Sequence, residues 1–231
     1  MAIALVANSY VADTSFNGQS SAHIHSGTNS VIGNLLVIHV GWVDATTAIT
    51  GVADTGATGA AWTKATGNAC IQGNGLSEYI YYTVATAAAA YTVTATWPGN
   101  VPYVDLRMRQ FSGFTDTPTL DQVAGATGSG TTAATGNSGA TTVNDELVVA
   151  GGETRASYNS TLETGYEENI TTPNRDISGY KVISATGAQS ASATLDNGTW
   201  AITLATFKNV AAAGGLSIPV AMRTYQNMRS V

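Results

Sequence analysis

Short runs of alternating apolar and polar residues recur along the chain, and they predict β-strands throughout. In Tyr91 to Trp97 the residues at odd positions are apolar and those at even positions are threonines. One face of this strand should therefore pack, while the other meets water. Val104 to Phe111 alternates in the same way, which places Asp105, Arg107 and Arg109 on the expected water-facing side. Strands covered on one side are typical of antiparallel sheets.

Other short runs are rich in β-branched and aromatic residues and are bounded by turn-forming residues, so they predict further strands. These runs are Asn34 to Trp42, Ser77 to Val84, Glu146 to Ala150, Ile177 to Ser184 and Trp200 to Phe207. No segment shows a sustained helical period with capping residues. We expect an all-β fold, a jelly-roll-like sandwich of two antiparallel sheets.

A weak sequence repeat between the two halves of the chain suggests the domain organisation. Asn34-Leu-Leu-Val resembles Asp145-Glu-Leu-Val-Val, and Tyr91 to Trp97 resembles Thr199 to Phe207. We interpret residues 1–213 as one β-sandwich domain with related halves at about 30–124 and 143–209; two independent β domains are the alternative. Gly125 to Thr142, rich in Gly, Ser, Thr and Ala, is predicted as a long surface loop or crossover between the halves.

The end of the chain, Gly214 to Val231, is predicted as an extended arm that docks on a neighbouring subunit. It follows a small-residue hinge, its apolar residues alternate with a period of two, and Pro219 restricts it to a sheet edge. The alternative is a last strand of the chain's own sandwich. The residues expected to bind a partner are Leu216, Ile218, Val220, Met222, Arg223, Tyr225 and Arg229.

The amino-acid composition argues against several classes of protein. Charged residues make up 10% of the chain and the net charge is −6, which argues against a nucleic-acid partner because phosphate binding needs clustered Lys and Arg. Hydrophobic residues make up 44%, so the chain should fold rather than remain disordered. No apolar run reaches the length that crosses a bilayer, and the first residues lack the basic region of a secretion signal. We expect a product made in the cytoplasm, with no membrane partner.

The sequence offers little for catalysis or metal binding. His23 and His25 would share a face of an extended segment, but a metal site needs at least one more ligand, and His39 lies inside a buried-looking strand. No metal site and no cofactor is therefore predicted. Gly128-Ser-Gly130 lacks the strand-turn-helix context of a nucleophile elbow, so no catalytic residue is predicted either.

The four tryptophans are the remaining candidates for ligand contact. On regular strands such rings are more often core, because each buries a large area. Trp62 lies in the turn-rich region from Asp54 to Lys64. We expect it near a turn at one end of the sandwich, where its ring would stack on a glycan.

The order of several short motifs resembles a β-sandwich module found in structural proteins of tailed bacteriophages and in some bacterial surface proteins. The motifs are Asn34-Leu-Leu-Val, Ile49-Thr-Gly-Val-Ala-Asp54-Thr-Gly, Ala61-Trp62-Thr-Lys64, Tyr79 to Tyr82 and Phe111-Ser-Gly-Phe114. The likeness spans about Asn34 to Asn209 and includes no catalytic signature.

The resemblance implies a virion component, such as a head decoration protein or a tail element, that acts by binding neighbouring subunits. The leading hypothesis is a non-enzymatic capsid decoration or cement protein that binds across major capsid subunits and also associates with itself. It would be made in the host cytoplasm and reside in the virion. The alternative is a carbohydrate-binding adhesin module of a phage tail or a bacterial surface protein.

Overall fold

The computed structural model describes residues 2–15, 17–163 and 165–209 of the 231-residue chain, and in these residues the fold is all-β. The one helical element in these residues is a short 3-10 turn at Gly67–Ala69. The described residues therefore contain no helix long and apolar enough to span a bilayer. The strands are β1 (Ala4–Leu5), β2 (Val11–Ser15), β3 (Gln19–His25), β4 (Leu35–Trp42), β5 (Gly51–Thr55), β6 (Thr63–Lys64), β7 (Cys70–Gly73), β8 (Leu76–Val84), β9 (Thr92–Val101), β10 (Val104–Ser112), β11 (Pro118–Ala134), β12 (Glu146–Thr154), β13 (Glu167–Thr171), β14 (Ile177–Ile183) and β15 (Ser192–Asn209).

These strands form three sheets, and all of their pairings are antiparallel. A seven-stranded sheet has the order β1-β10-β4-β8-β6, with β2 also paired to β10 and β7 to β8. A five-stranded sheet has the order β11-β15-β12-β14-β13, and a three-stranded sheet has the order β3-β9-β5. The prediction of an all-β fold with antiparallel sheets is confirmed; the jelly-roll connectivity stays a prediction.

The seven-stranded sheet is buried on both faces. Along β4, Leu36, Ile38 and Val40 pack into a core shared with the three-stranded sheet. Leu35 and Val37, on the opposite face, pack into a second core shared with the five-stranded sheet. The predicted strand from Asn34 to Trp42 is therefore continuously apolar because it is covered twice.

The alternation predicted for Tyr91 to Trp97 is confirmed. Val93, Ala95 and Trp97 are buried in the core under the three-stranded sheet. The intervening threonines of β9 are only partly buried.

The two halves of the chain use the same strand order. In the first half the central strand, β4, lies between β10, the last long strand of that half, and a second strand, β8. In the second half the central strand, β12, lies between β15, the last long described strand, and a second strand, β14. The registers agree, since Leu35 lies opposite Phe111 and Leu147 lies opposite Phe207. The segment from Thr199 to Phe207 thus corresponds in position to β10 rather than to the predicted Tyr91 to Trp97, which belongs to the three-stranded sheet.

The prediction of a long surface loop at Gly125 to Thr142 is wrong for most of its length. Strand β11 continues to Ala134 and pairs with β15, with irregularities in register. Two of its glycines have a packing reason. A Cβ atom at Gly128 would lie 2.4 Å from the Trp200 ring, and one at Gly125 would lie 2.0 Å from the Asn68 carbonyl oxygen. At these positions the strand passes close to other parts of the fold.

Candidate functional site

The layer between the seven-stranded and five-stranded sheets, which we call the seam, has an apolar end and a polar end. At the apolar end two aromatic pairs cross between the halves. Phe111 meets Tyr180 with ring centroids 5.2 Å apart, and Phe207 meets Tyr82 at 4.9 Å. Each pair joins the last long strand of one half to the second strand of the other, in the edge-on geometry that aromatic rings favour.

The polar end contains the charged face of β10. Asp105, Arg107 and Arg109 are at most 3% exposed, so the expectation that they face water is wrong. They face the five-stranded sheet instead. A buried charge is tolerated only when it is paired and hydrogen-bonded, and these side chains have such partners.

Arg107 is the centre of the polar end. Its guanidinium donates to Glu78 Oε2 at 2.8 Å, and its Nε lies 2.9 Å from Asp105 Oδ1. Its Nη1 donates across the seam to the carbonyl oxygens of Gly152 and Ile177, at 3.0 and 2.7 Å. One side chain therefore joins strands of both sheets through charge-assisted hydrogen bonds.

Two further contacts cross the seam beside it. Arg109 donates to the hydroxyl of Ser178 at 2.8 Å, and its guanidinium also stacks 4.6 Å from the centroid of the Tyr10 ring. The Thr172 hydroxyl donates to Asp105 Oδ2 at 2.7 Å. The polar end thus connects the halves through side chains of both.

Two strand glycines make room for polar side chains from the opposite sheet. A Cβ atom at Gly41 would lie 2.0 Å from Glu153 Oε2, and a Cβ atom at Gly151 would lie 2.5 Å from the His39 ring. Each glycine lies on the central strand of one half and faces the central strand of the other. Close approach of the two sheets at this end therefore requires glycine at both positions.

Burial controls the protonation of the polar end. Burial and the nearby Asp176 carboxyl raise the pKa of Glu153 well above its ordinary value, and burial together with Asp105 does the same for the pKa of Asp176. Burial also lowers the pKa of His39, although its ring contacts Glu78 Oε1 at 3.2 Å. The polar end therefore favours neutral Glu153, Asp176 and His39 around the charged Arg107.

A cleft of about 530 Å³ opens at this end of the seam. Val43 and Tyr103, from the first half, form one wall. Glu153 and the residues after it form part of the opposite wall, together with the turn from Pro173 to Asp176. A concave site that combines an apolar wall with groups of shifted pKa is the usual form of a small-molecule site.

The predicted glycan contact, Trp62, lies elsewhere. Its side chain is 4% exposed and belongs to the core under the three-stranded sheet. The indole N–H donates to Asp54 Oδ2 at 2.8 Å. In this position the ring offers no face to a glycan, because the turn that carries it folds back onto the core.

The other candidate residues are separate from the cleft. His23 and His25 lie side by side on the exposed face of β3, and their Nδ1 atoms contact the hydroxyls of Thr94 and Thr92 at 2.9 and 2.8 Å. Within the described residues, no group of three or more His, Cys, Asp or Glu side chains is arranged to hold a metal ion. The predicted partner-binding residues from Leu216 to Arg229 lie outside the described residues.

The chain matches no protein-family model, and neither the curated proteins nor the solved structures include a significant match to it.

Sequence reasoning missed the cleft and the polar seam. The signal that could have found the seam was the pair Gly41 and Gly151, each inside an otherwise apolar strand, because glycine within a strand marks a close approach. Glu153 and Asp176 gave no comparable signal. They lie in sequence beside turn-forming residues, where acidic side chains are common for local reasons.

Proposed function

We propose that this chain is a non-catalytic structural protein of a virion, a capsid decoration or cement protein that binds across neighbouring shell subunits. The observation that carries the proposal is the seam. Aromatic pairs and buried charge-assisted hydrogen bonds join the two halves, so the folded unit resists shear between its sheets. Such stiffness suits a protein whose action is mechanical, and the resemblance to phage β-sandwich proteins supports the same assignment.

The surface supports binding to another protein at one tip. Val31 and Ile32, adjacent in the turn between β3 and β4, are 50% and 65% exposed. Two neighbouring aliphatic side chains in water favour burial against a partner, since each buried side chain contributes about 1.5–3 kcal/mol. We define these two residues as the apex pair and assign to it one contact with a shell subunit.

The segment from Gly214 to Val231 is assigned the second contact. The core side chains of the described residues run from Ile3 to Phe207. The proposal keeps that segment as the arm that adds to a sheet edge of a neighbouring subunit, where backbone hydrogen bonds supply affinity.

Truncation after Gly214 tests the arm. We expect the truncated chain to unfold at the same denaturant concentration as the full chain, because its described cores are intact, but to be absent from native particles imaged by cryo-electron microscopy. An insoluble or unfolded truncated chain would show that the segment completes its own core. Full occupancy on the particle would show that the arm does not bind.

Substitution of the apex pair tests the first contact. The double variant Val31→Ser with Ile32→Ser should lower occupancy on the particle without changing stability. The matched control is Val182→Ser, because Val182 is also 41% exposed but lies on β14, away from the apex. Equal occupancy of the apex variant and the control would contradict the assignment of the apex pair.

A further inference from the structure

The cleft at the polar end of the seam contains buried hydrogen-bonding atoms for which the described residues provide no partner. Asp176 is fully buried, and its Oδ1 accepts from the backbone N–H of Thr154 at 2.7 Å, while its Oδ2 has no hydrogen-bond partner in the structure. Both polar atoms of the Asn174 carboxamide are also shielded and without a partner. Buried polar groups are almost always hydrogen-bonded, so a cluster of such atoms lining a cleft points to a ligand that completes them.

The opposite wall presents an aromatic side chain in an unusual backbone conformation. Tyr103 is 46% exposed and has φ of 51°, in the left-handed region that bulky residues rarely adopt. The preceding residue holds the turn in place, because the Pro102 carbonyl accepts from the backbone N–H of Val43 at 3.1 Å. Strained residues are retained where the surrounding structure requires them, and they cluster at binding sites.

The chemistry of the cleft selects a neutral, hydroxyl-rich ligand. A carboxamide offers both donors and an acceptor, and a protonated carboxyl does the same, which matches a hydroxyl group. Burial raises the pKa of Asp176 well above its ordinary value, which favours the protonated, neutral carboxyl over a charge that would select a cation. The nearest cationic group in the cleft, Arg155, donates to the Gly75 carbonyl at 3.1 Å, which ties it to the rim.

We propose that this cleft binds a neutral saccharide unit, with its hydroxyls hydrogen-bonded to Asn174 and Asp176 and its C–H face against Tyr103. A volume of about 530 Å³ accommodates a mono- or disaccharide. Sugar rings present alternating apolar and hydroxyl faces, and the cleft presents an aromatic wall opposite a polar one. The described residues that line this cleft do not include the apex pair.

The test is calorimetric and NMR titration of the full chain with glucose, galactose, mannose, N-acetylglucosamine and their disaccharides. We expect saturable binding of at least one sugar at micromolar to millimolar concentrations. Backbone amide shifts should be confined to the cleft, at Val43, Tyr103, residues 153–156 and residues 174–176. Absence of saturable binding across the panel, or shifts elsewhere on the molecule, would overturn the proposal.

Two variants locate the contacts. Tyr103→Asn removes the ring and keeps a residue type that tolerates a left-handed backbone, and Asn174→Ala removes the carboxamide. Each should raise Kd about 10-fold or more. Asn29→Ala is the matched control, since Asn29 is exposed and precedes β4, at the opposite end of that strand from Val43 in the cleft, and its Kd should be unchanged. Unchanged Kd in both cleft variants would contradict the proposal.

A competing ligand class is tested in the same experiment. Calcium chloride and putrescine serve as cationic probes. We expect neither to displace the sugar or to shift the cleft amides. If either cation binds saturably there and Asp176→Asn abolishes that binding, the cleft is a cation site and the proposal is wrong.

Discussion

The two ends of the seam join the same pair of halves through different kinds of contact. At the apolar end the contacts are repeated, because each half contributes one phenylalanine from its last long strand and one tyrosine from its second strand. At the polar end nothing is repeated. The position of Arg107, opposite His39 in register, is occupied in the second half by Thr203, opposite Gly151.

The difference has a steric cause on the two central strands. There equivalent positions of the two halves meet, because Gly41 faces Glu153 and Gly151 faces His39. A second large side chain at either glycine would clash with the polar side chain that faces it. The polar end must therefore differ between the halves.

Removing the central charge should have the largest effect. Arg107→Leu leaves Glu78 and Asp105 buried without their cation, so we expect the free energy of unfolding to fall by about 3–5 kcal/mol. Chemical denaturation at neutral pH measures the loss. The loss should shrink at acidic pH, because burial raises the pKa of Asp105 and its carboxyl becomes protonated there.

Thr203→Val is the matched control for Arg107. Thr203 is fully buried, and its hydroxyl has no hydrogen-bond partner in the structure. Replacing this hydroxyl by a methyl group should be neutral or slightly stabilising. A loss as large as that of Arg107→Leu would contradict the asymmetry between the two positions.

The pH dependence of stability is expected to come from the polar end of the seam and not from the apolar end. In the unfolded chain Glu153 loses its proton near its ordinary pKa of 4.5, whereas in the fold its raised pKa keeps the proton to higher pH. The folded state then binds more protons, so the free energy of unfolding falls as pH rises through this window. Glu153→Gln should make that slope shallower by up to about 1.4 kcal/mol per pH unit. Denaturation curves measured from pH 4 upward test this, and an unchanged slope would show that Glu153 ionises normally.

The apolar end should respond equally in both halves. Phe111→Leu and Phe207→Leu each lose one edge-on aromatic pair in a well-packed site, so each should cost about 1.5 kcal/mol, independent of pH. Thermal or chemical unfolding gives both values. Costs that differ several-fold would show that the two pairs are not equivalent.

An ion pair near the edge of the five-stranded sheet supplies the smallest effect. Lys208 Nζ lies 2.7 Å from Asp121 Oδ1, and the side chains of the lysine and the aspartate are 25% and 3% exposed. Asp121 also accepts from the backbone N–H and the hydroxyl of Thr142, so it keeps partners when the lysine is replaced. Lys208→Met should cost about 1 kcal/mol or less, and added salt should reduce the cost further. A loss comparable to that of Arg107→Leu would remove the distinction between paired charges at the surface and in the seam.

The strands and the all-β class could be predicted because alternation and β-branched runs are local signals. Tyr91 to Trp97 behaved as its pattern indicates. Val104 to Phe111 has the same pattern, yet its polar side is buried, since local alternation does not say whether a polar face meets water or a complementary sheet. The small residues of Gly125 to Ala134 suggest a loop from sequence alone, because the groups that its glycines pack against, such as the Trp200 ring at Gly128, lie far away in sequence.

The candidate site was less predictable than the fold. The cleft draws Tyr103 from one half and Asn174 and Asp176 from the other, so no local motif contains it. The turn residues around Trp62 indicate an exposed aromatic, but Asp54 accepts its indole N–H and holds it inward. Distant pairing in the folded chain decides the cleft, whereas a hydrogen bond between residues eight positions apart decides Trp62.

The most direct test of the seam is native-state hydrogen exchange followed by mass spectrometry at increasing denaturant. If the seam joins both halves into one cooperative unit, amides of β4 and β10 should exchange with the same free energy and denaturant dependence as amides of β12 and β15. In the Arg107→Leu variant, all four strands should lose protection together. Separate opening free energies for the two halves in the unmodified chain would contradict this account, because the halves would then be independent domains.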